Sequence, residues 1–206
     1  MLKNDEKRLL EYTPIGMNLD KNVGWGTLLF TNSRACNLSC DGCWTSTTNE
    51  SIKQQLKFGA DWMYNNSYGL NVLESILGKF KKENGKLVAF MSDGEPFVNS
   101  NYEFTFNLAE SCGKQKLPLL LFSNGIYLDN KKLEEINKAT NNRISYCISI
   151  QTGVKESYGN FMLIDKEDNP TGERIFETLE EKFKLWKEYD KRTFEKTGKH
   201  AIAIHT

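Results

Sequence analysis

Trp25-Gly-Thr-Leu-Leu-Phe-Thr-Asn32 leads, through Ser33-Arg34-Ala35, into Cys36-Asn-Leu-Ser-Cys40-Asp-Gly-Cys43. The first run is short and apolar and reads as a buried strand. The second carries three thiols at the spacing C-x3-C-x2-C, which a tight loop can turn toward one centre. Thiolates prefer soft or borderline metals, so the choice lies between zinc and an iron–sulfur cluster. A closed structural zinc site needs four ligands, whereas this loop supplies three and contains no histidine. Three cysteines on a cluster of four irons keep one iron open, and an open position separates catalytic from structural metal sites. A zinc or electron-transfer site that takes its fourth ligand from elsewhere fits the same stretch. A metal loop at the carboxyl end of a strand also stands where α/β folds place their active sites.

Working outward, residues 1–24 are polar, carry Pro14 and Gly16, and read as an N-terminal extension preceding a core of residues 25–206. After Cys43, Trp44, Phe58, Trp62, Tyr64 and Tyr68 are interleaved with polar residues around an expected helix near 51–65. These aromatics either wall off the metal loop or simply pack. Residues 70–82 are a clearer helix, with Leu73, Ile76, Leu77 and Phe80 on one face. Further strands are expected at 86–92, 117–122, 143–151 and 200–206. Ser100-x-x-Glu103 has the spacing of a capping box for a helix to about Cys112. A helix over 129–139 points Leu133 and Ile136 inward. Residues 152–170 read as a polar loop. Thr171 can cap a long helix with the stripe Phe176, Leu179, Phe183 and Trp186, ended by Gly198.

Alternating β and α segments imply parallel strands joined by right-handed crossovers. Five strands are visible where a closed barrel needs eight, so the expected fold is α/β, a partial, open (β/α) barrel. In the fourth strand Ile144, Tyr146, Ile148 and Ile150 alternate with Ser145, Cys147, Ser149 and Gln151. The apolar set is expected to meet the helices and the polar set to line the lumen, unless it is a solvated edge face. The fifth strand alternates Ile202, Ile204 and Thr206 with Ala201, Ala203 and His205. If the isoleucines meet the helices, His205 faces the lumen; a satisfied core histidine is the other reading. His200, at the strand's start, reads as structural.

Lysine plus arginine balances aspartate plus glutamate at 27 each, so no global positive field argues for nucleic acid or an anionic membrane. Five cysteines, three of them clustered, do not form a disulfide framework. No signal peptide and no span of membrane length is visible, and thiolate ligands suit a reducing cytoplasm. Cys112 and Cys147 read as buried thiols, Cys147 being the better placed for a further role on the lumen face.

Cys36, Cys40 and Cys43 resemble the signature of the radical S-adenosylmethionine (radical SAM) superfamily. The resemblance covers about residues 25–206. It implies a [4Fe–4S] cluster on these three cysteines and S-adenosylmethionine chelating the fourth iron. Asp93-Gly94-Glu95-Pro96 resembles the family's Gly-Gly-Glu-Pro motif, which implies that backbone carbonyls and Glu95 hold the methionine ammonium; Asp93 departs from the first glycine. Ser149 and Gln151 resemble the ribose-binding positions of the fourth strand, although many relatives carry an acid where Gln151 stands. Ser123-Asn124-Gly125 resembles a Thr-Asn-Gly turn at the same mouth, and turn chemistry alone explains it equally well. Gly42 replaces an aromatic that many relatives set against adenine; Trp44, one residue past Cys43, can substitute. His205 is within the region expected to touch cofactor or substrate.

The implied chemistry is one-electron cleavage of the sulfonium to methionine and a 5′-deoxyadenosyl radical, which takes hydrogen from a substrate, an oxidoreductase- or lyase-type reaction. The stretch 152–189 resembles that of relatives that modify peptides and proteins. A flavodoxin- or ferredoxin-like electron donor is the implied partner. The family's usual sixth strand is absent, so the chain reads as a fragment or a truncated copy. A non-catalytic iron–sulfur or zinc module, with Cys112 or Cys147 completing the site, and a glycyl-radical activase remain alternatives.

Overall fold

Five apolar runs do form one parallel sheet. The computed structural model describes residues 27–30, 36, 37, 39, 40, 70–91, 94–150, 162, 163 and 172–205. In chain order these are β1 (Thr27–Phe30), β2 (Ser39–Cys40), α1 (Leu70–Lys82), β3 (Leu87–Phe90), α2 (Asn99–Gln115), β4 (Leu119–Ser123), α3 (Asn130–Ala139), β5 (Ile144–Ser149), β6 (Met162–Leu163), α4 (Gly172–Thr197) and β7 (Ile202–His205). The sheet order is β1-β3-β4-β5-β7, all parallel. Each strand lies beside the next in sequence, so crossovers of one hand bring every helix to the same face. The sheet is open, not closed.

Register divides the sheet into two faces. Leu28, Val88, Leu119 and Ile144 form one buried row, and Phe30, Phe90, Leu121 and Tyr146 the next. These rows meet Leu73, Leu77, Leu108, Leu133 and Ile136 from the helices in a single core. Dense burial of aliphatic and aromatic area of this kind is the main driving force for the fold. The opposite face carries Leu120, Phe122, Ser145, Cys147 and Ser149, all half-buried. The period-two reading of the fourth strand is therefore borne out from Ile144 to Ile150.

Several expectations need correction. Ser100 does not cap α2. The helix begins two residues earlier, at Asn99, with Val98 as its N-cap, and no side chain caps it. One of its orphan N–H groups is met by backbone instead, since Asn101 N donates to Val98 O ahead of the first full helical bond from Tyr102 N. Phe183 is 39% exposed, and the buried stripe of α4 runs through Ile175, Leu179, Trp186 and Tyr189. Phe183 packs edge-on against Trp186 from the rim. Ile204 lies beside Ile148 on the helix-facing row but is not covered there. It is 44% exposed, because β7 is an edge of the sheet among the described residues and no described helix follows it. Residues 152–170 are not wholly loop, since Met162–Leu163 pair antiparallel with Ser39–Cys40.

Two local devices fix helix positions. Asp129 accepts from Lys132 N at 2.8 Å and caps α3. Asp129→Ala is expected to cost about 1 kcal/mol, read as a lower urea midpoint at unchanged slope; an unchanged midpoint would show the cap to be dispensable. At the other end of the sheet, Asp190 of α4 accepts from Ala201 N, Ile202 N and His200 Nδ1. Burial pushes the Asp190 carboxyl up, but these hydrogen bonds outweigh it and hold the group below its usual range. His200 also stacks on Phe194, which agrees with a structural role. Among the described residues no helix is long and apolar enough to cross a membrane.

Candidate active site

β1, β3 and β4 are adjacent and parallel, so the turns that leave their carboxyl ends must be neighbours. The first turn holds Cys36 and Asn37, the second Gly94-Glu95-Pro96, and the third Ser123-Asn124-Gly125. Their side chains interlock. Glu95 is 2% exposed. Its Oε1 accepts from Ser123 Oγ at 2.7 Å and from Phe97 N at 3.2 Å, and its Oε2 accepts from Asn124 N at 2.8 Å. Asn124 then reaches the cysteine loop, with Nδ2 2.9 Å from Asn37 Oδ1 and 4.0 Å from Cys36 Sγ. A chain of hydrogen bonds thus links three segments far apart in sequence.

The backbone around Glu95 is equally occupied. Glu95 O accepts from Asn101 Nδ2 at 2.9 Å, and Pro96 O accepts from Thr105 Oγ1 at 2.8 Å. Asn101 and Thr105 are fully buried on α2. Buried amides and hydroxyls need such partners. These bonds lock the turn onto the helix that follows it. Burial pushes the Glu95 carboxyl up to about 7, against hydrogen bonds from Asn124, Ser123 and Phe97 that pull it down. Three of its roughly four acceptor positions are taken.

Of the residues singled out in the sequence, the structure joins Cys36, Glu95, Pro96 and Asn124 in this one region. Gly94 sits half-buried at its edge. Ser149 and His205 are register partners on β5 and β7, so they share a face. That face is the one holding Cys147, and His205 on it is exposed rather than a satisfied core histidine. The backbone of Cys40 is placed opposite Met162. Cys43, Trp44, Asp93 and Gln151 lie outside the described residues, as do the 51–65 helix and the Thr171 cap.

Asn37 and Lys132 are contributors that sequence reasoning did not assign. Lys132 donates to Tyr127 O at 2.9 Å and Phe97 O at 3.4 Å, and its ammonium lies 5.6 Å from the centres of the Tyr102 and Tyr127 rings. It clamps the second turn to the third. Nothing in the local sequence of α3 signals this, because the partners come from two other elements.

Among the three cysteines of the loop, Cys36 is the one whose side chain is described, and a thiol suits a soft metal. Cys36 is exposed, with Asn124 Nδ2 4.0 Å from its sulfur. Cys112 is the contrasting case, a fully buried thiol pushed up to about 12 by burial. It lies in the last turns of α2, near the amino end of β4 and so at the opposite end of the sheet from Cys36. Cys112 therefore cannot join Cys36 at a shared centre.

The family model of the Radical SAM superfamily matches residues 32–195. No curated protein matches the chain. Among solved structures, the fold is similar to that of Streptococcus suis SuiB bound to the precursor peptide SuiA, with a TM-score of 0.56 and 18% identity over 82% of this chain and 31% of that one. It is also similar to SuiB bound to S-adenosylmethionine, with a TM-score of 0.52 and 18% identity over 79% and 32% of the two chains. The chain spans about a third of the length of these SuiB chains.

Proposed function

This chain belongs to the radical SAM superfamily, and on that premise we propose that it holds a [4Fe–4S] cluster on Cys36, Cys40 and Cys43, binds S-adenosylmethionine beside it, and acts on a peptide or protein. The observation that carries the reading is the hydrogen-bonded chain Cys36–Asn124–Glu95 across three strand ends. It supports a thiolate loop and a buried carboxylate presented at one mouth. When bound, cluster and cofactor together supply one-electron cleavage of the sulfonium and hydrogen-atom abstraction from substrate. The protein's part is to bind, orient and exclude water. Cys36, Cys40 and Cys43 would supply the thiolates. Gly94, Glu95 and Pro96, with Asp93, would present acceptors to an ammonium group. Ser149, Gln151 and His205 would offer hydrogen bonds to a ribose or a substrate, and Trp44 a ring to adenine.

A peptide or protein substrate is supported by the fold shared with SuiB, whose structure holds a precursor peptide. A flavodoxin- or ferredoxin-like protein would supply the electron.

The test is anaerobic reconstitution with iron and sulfide, reduction, and EPR with and without S-adenosylmethionine. The expected result is a [4Fe–4S]+ signal that changes shape on adding the cofactor, and Cys36→Ser is expected to lose at least tenfold in bound iron. A signal indifferent to S-adenosylmethionine would overturn the enzyme reading, and uptake of zinc alone would make the loop structural.

A further inference from the structure

We infer that Asn124 tunes the metal loop as a positioning residue: its side-chain amide donates to the sulfur of Cys36 and so raises the reduction potential of a cluster held there. The inference rests on the reading of Cys36 as a cluster ligand. It assigns Asn124 to the cluster and not to the cofactor, where the family resemblance would place it.

The amide's orientation carries the argument. Asn124 Oδ1 accepts from Ile126 N at 3.1 Å, as an Asx turn does. A flipped amide would set its NH2 against that N–H and its oxygen against Asn37 Oδ1. Nδ2 must therefore face the metal loop, where one hydrogen meets Asn37 Oδ1 at 2.9 Å. The same Nδ2 lies 4.0 Å from Cys36 Sγ, the longest reach of a hydrogen bond to sulfur, across 88 residues of sequence. The main chain is held as well, since Asn124 N donates to buried Glu95 at 2.8 Å. With Oδ1 and Nδ2 both engaged, little of the side chain remains for a ribose hydroxyl.

The consequence for a cluster is electrostatic. A metal-bound thiolate accepts hydrogen bonds, and donation to it favours the more negative, reduced state over the oxidised one. Hydrogen bonds to cluster sulfurs are among the factors that set such potentials. Asn37 contributes by holding the amide plane in place.

The test uses the full chain, reconstituted anaerobically, and measures the cluster's midpoint potential without S-adenosylmethionine, so a purely cofactor-facing role would not register. Asn124→Leu removes the donor. Asn124→Ser keeps a hydroxyl for Ile126 N but is too short to reach the sulfur. Both are expected to lower the ratio of reduced to oxidised cluster at a fixed potential by roughly threefold to tenfold, tenfold being about 59 mV for one electron. If Asn124→Leu fails to hold a cluster, Asn124→Ser decides. An unchanged potential in Asn124→Ser with weakened S-adenosylmethionine binding would turn the amide toward the cofactor and overturn the inference. An unchanged potential with unchanged binding would overturn it too. Metal analysis of the wild type separates the two levels, because a chain that takes up zinc and no iron overturns the underlying reading and the inference with it.

Discussion

Glu95→Ala is expected to lower unfolding free energy by about 4 kcal/mol and to abolish S-adenosylmethionine binding. The loss follows from what the carboxylate holds. Ser123 Oγ, Phe97 N and Asn124 N would all lose their acceptor in a place with almost no solvent. Each buried donor left unpaired costs about 1–3 kcal/mol. Removing a buried, partly charged group returns some desolvation energy, so the net falls below the sum. Glu95→Gln keeps one acceptor oxygen but sets an NH2 against a backbone N–H, so a smaller loss is expected. Urea denaturation at fixed pH checks both; an alanine variant within 1 kcal/mol of wild type would mean that the interlock contributes little.

The same residue sets a pH dependence. Burial raises Glu95 from 4.5 to about 7. Between those values the folded chain holds a proton that the unfolded chain has released. Its contribution is complete below pH 4.5 and is lost as pH rises through 7, about 3 kcal/mol in all. The difference in stability between wild type and Glu95→Gln should therefore shrink across this window. A cation bound beside Glu95 reverses the tendency, because it favours the carboxylate. S-adenosylmethionine should bind more tightly as pH rises through 7 and release a proton on binding. Titration calorimetry in buffers of different ionisation enthalpy would detect the proton, and an equal heat in all of them would rule out this linkage.

Gly125→Ala is the second large expected effect, about 3 kcal/mol of stability together with partial loss of bound iron. Gly125 has φ +80°, where an L side chain is strained. A Cβ there would overlap the Trp186 ring and lie 3.1 Å from Ile148 Cγ2. The ring cannot simply swing away. Trp186 is 1% exposed, and its indole N–H donates to Leu128 O at 3.4 Å. Strain and overpacking of this kind each cost about 1–3 kcal/mol. The turn would have to move, and with it Asn124, its link to Cys36 and the N–H that meets Glu95. Adding Trp186→Phe to Gly125→Ala should recover part of the steric cost, giving a clear non-additive term. Strict additivity would place the whole cost in the backbone.

The fold was legible where one local pattern decides the outcome. Ile144, Tyr146, Ile148 and Ile150 alternate with polar residues, and in the structure that alternation divides the two faces of β5. Leu73, Leu77 and Phe80 recur at helical spacing and are buried on α1. The reading failed where two local signals competed or a neighbour was missing. Ser100 has the chemistry of a cap, yet the chain entering α2 is already fixed by Glu95 and Pro96 bonding to Asn101 and Thr105, so the helix begins before it. Phe183 continues a plausible stripe, but the seat under Gly125 goes to Trp186, which displaces Phe183 to the rim. Ile204 is apolar and exposed because burial needs a second surface, and no described element covers the outer side of β7.

By itself the sequence determined the order of the five parallel strands and of the described helices between them, the thiol loop after β1 and the family to which the chain belongs. These rest on short-range spacing, which requires no partner to be read. Only the tertiary structure decided that Glu95 is a buried link between turns, that Asn124 turns its amide to Cys36, that Lys132 clamps two turns, and that Cys112 lies at the far end of the sheet. Each of these depends on groups from distant segments arriving at hydrogen-bonding distance. That proximity comes from strand order and register, which a linear spacing does not contain.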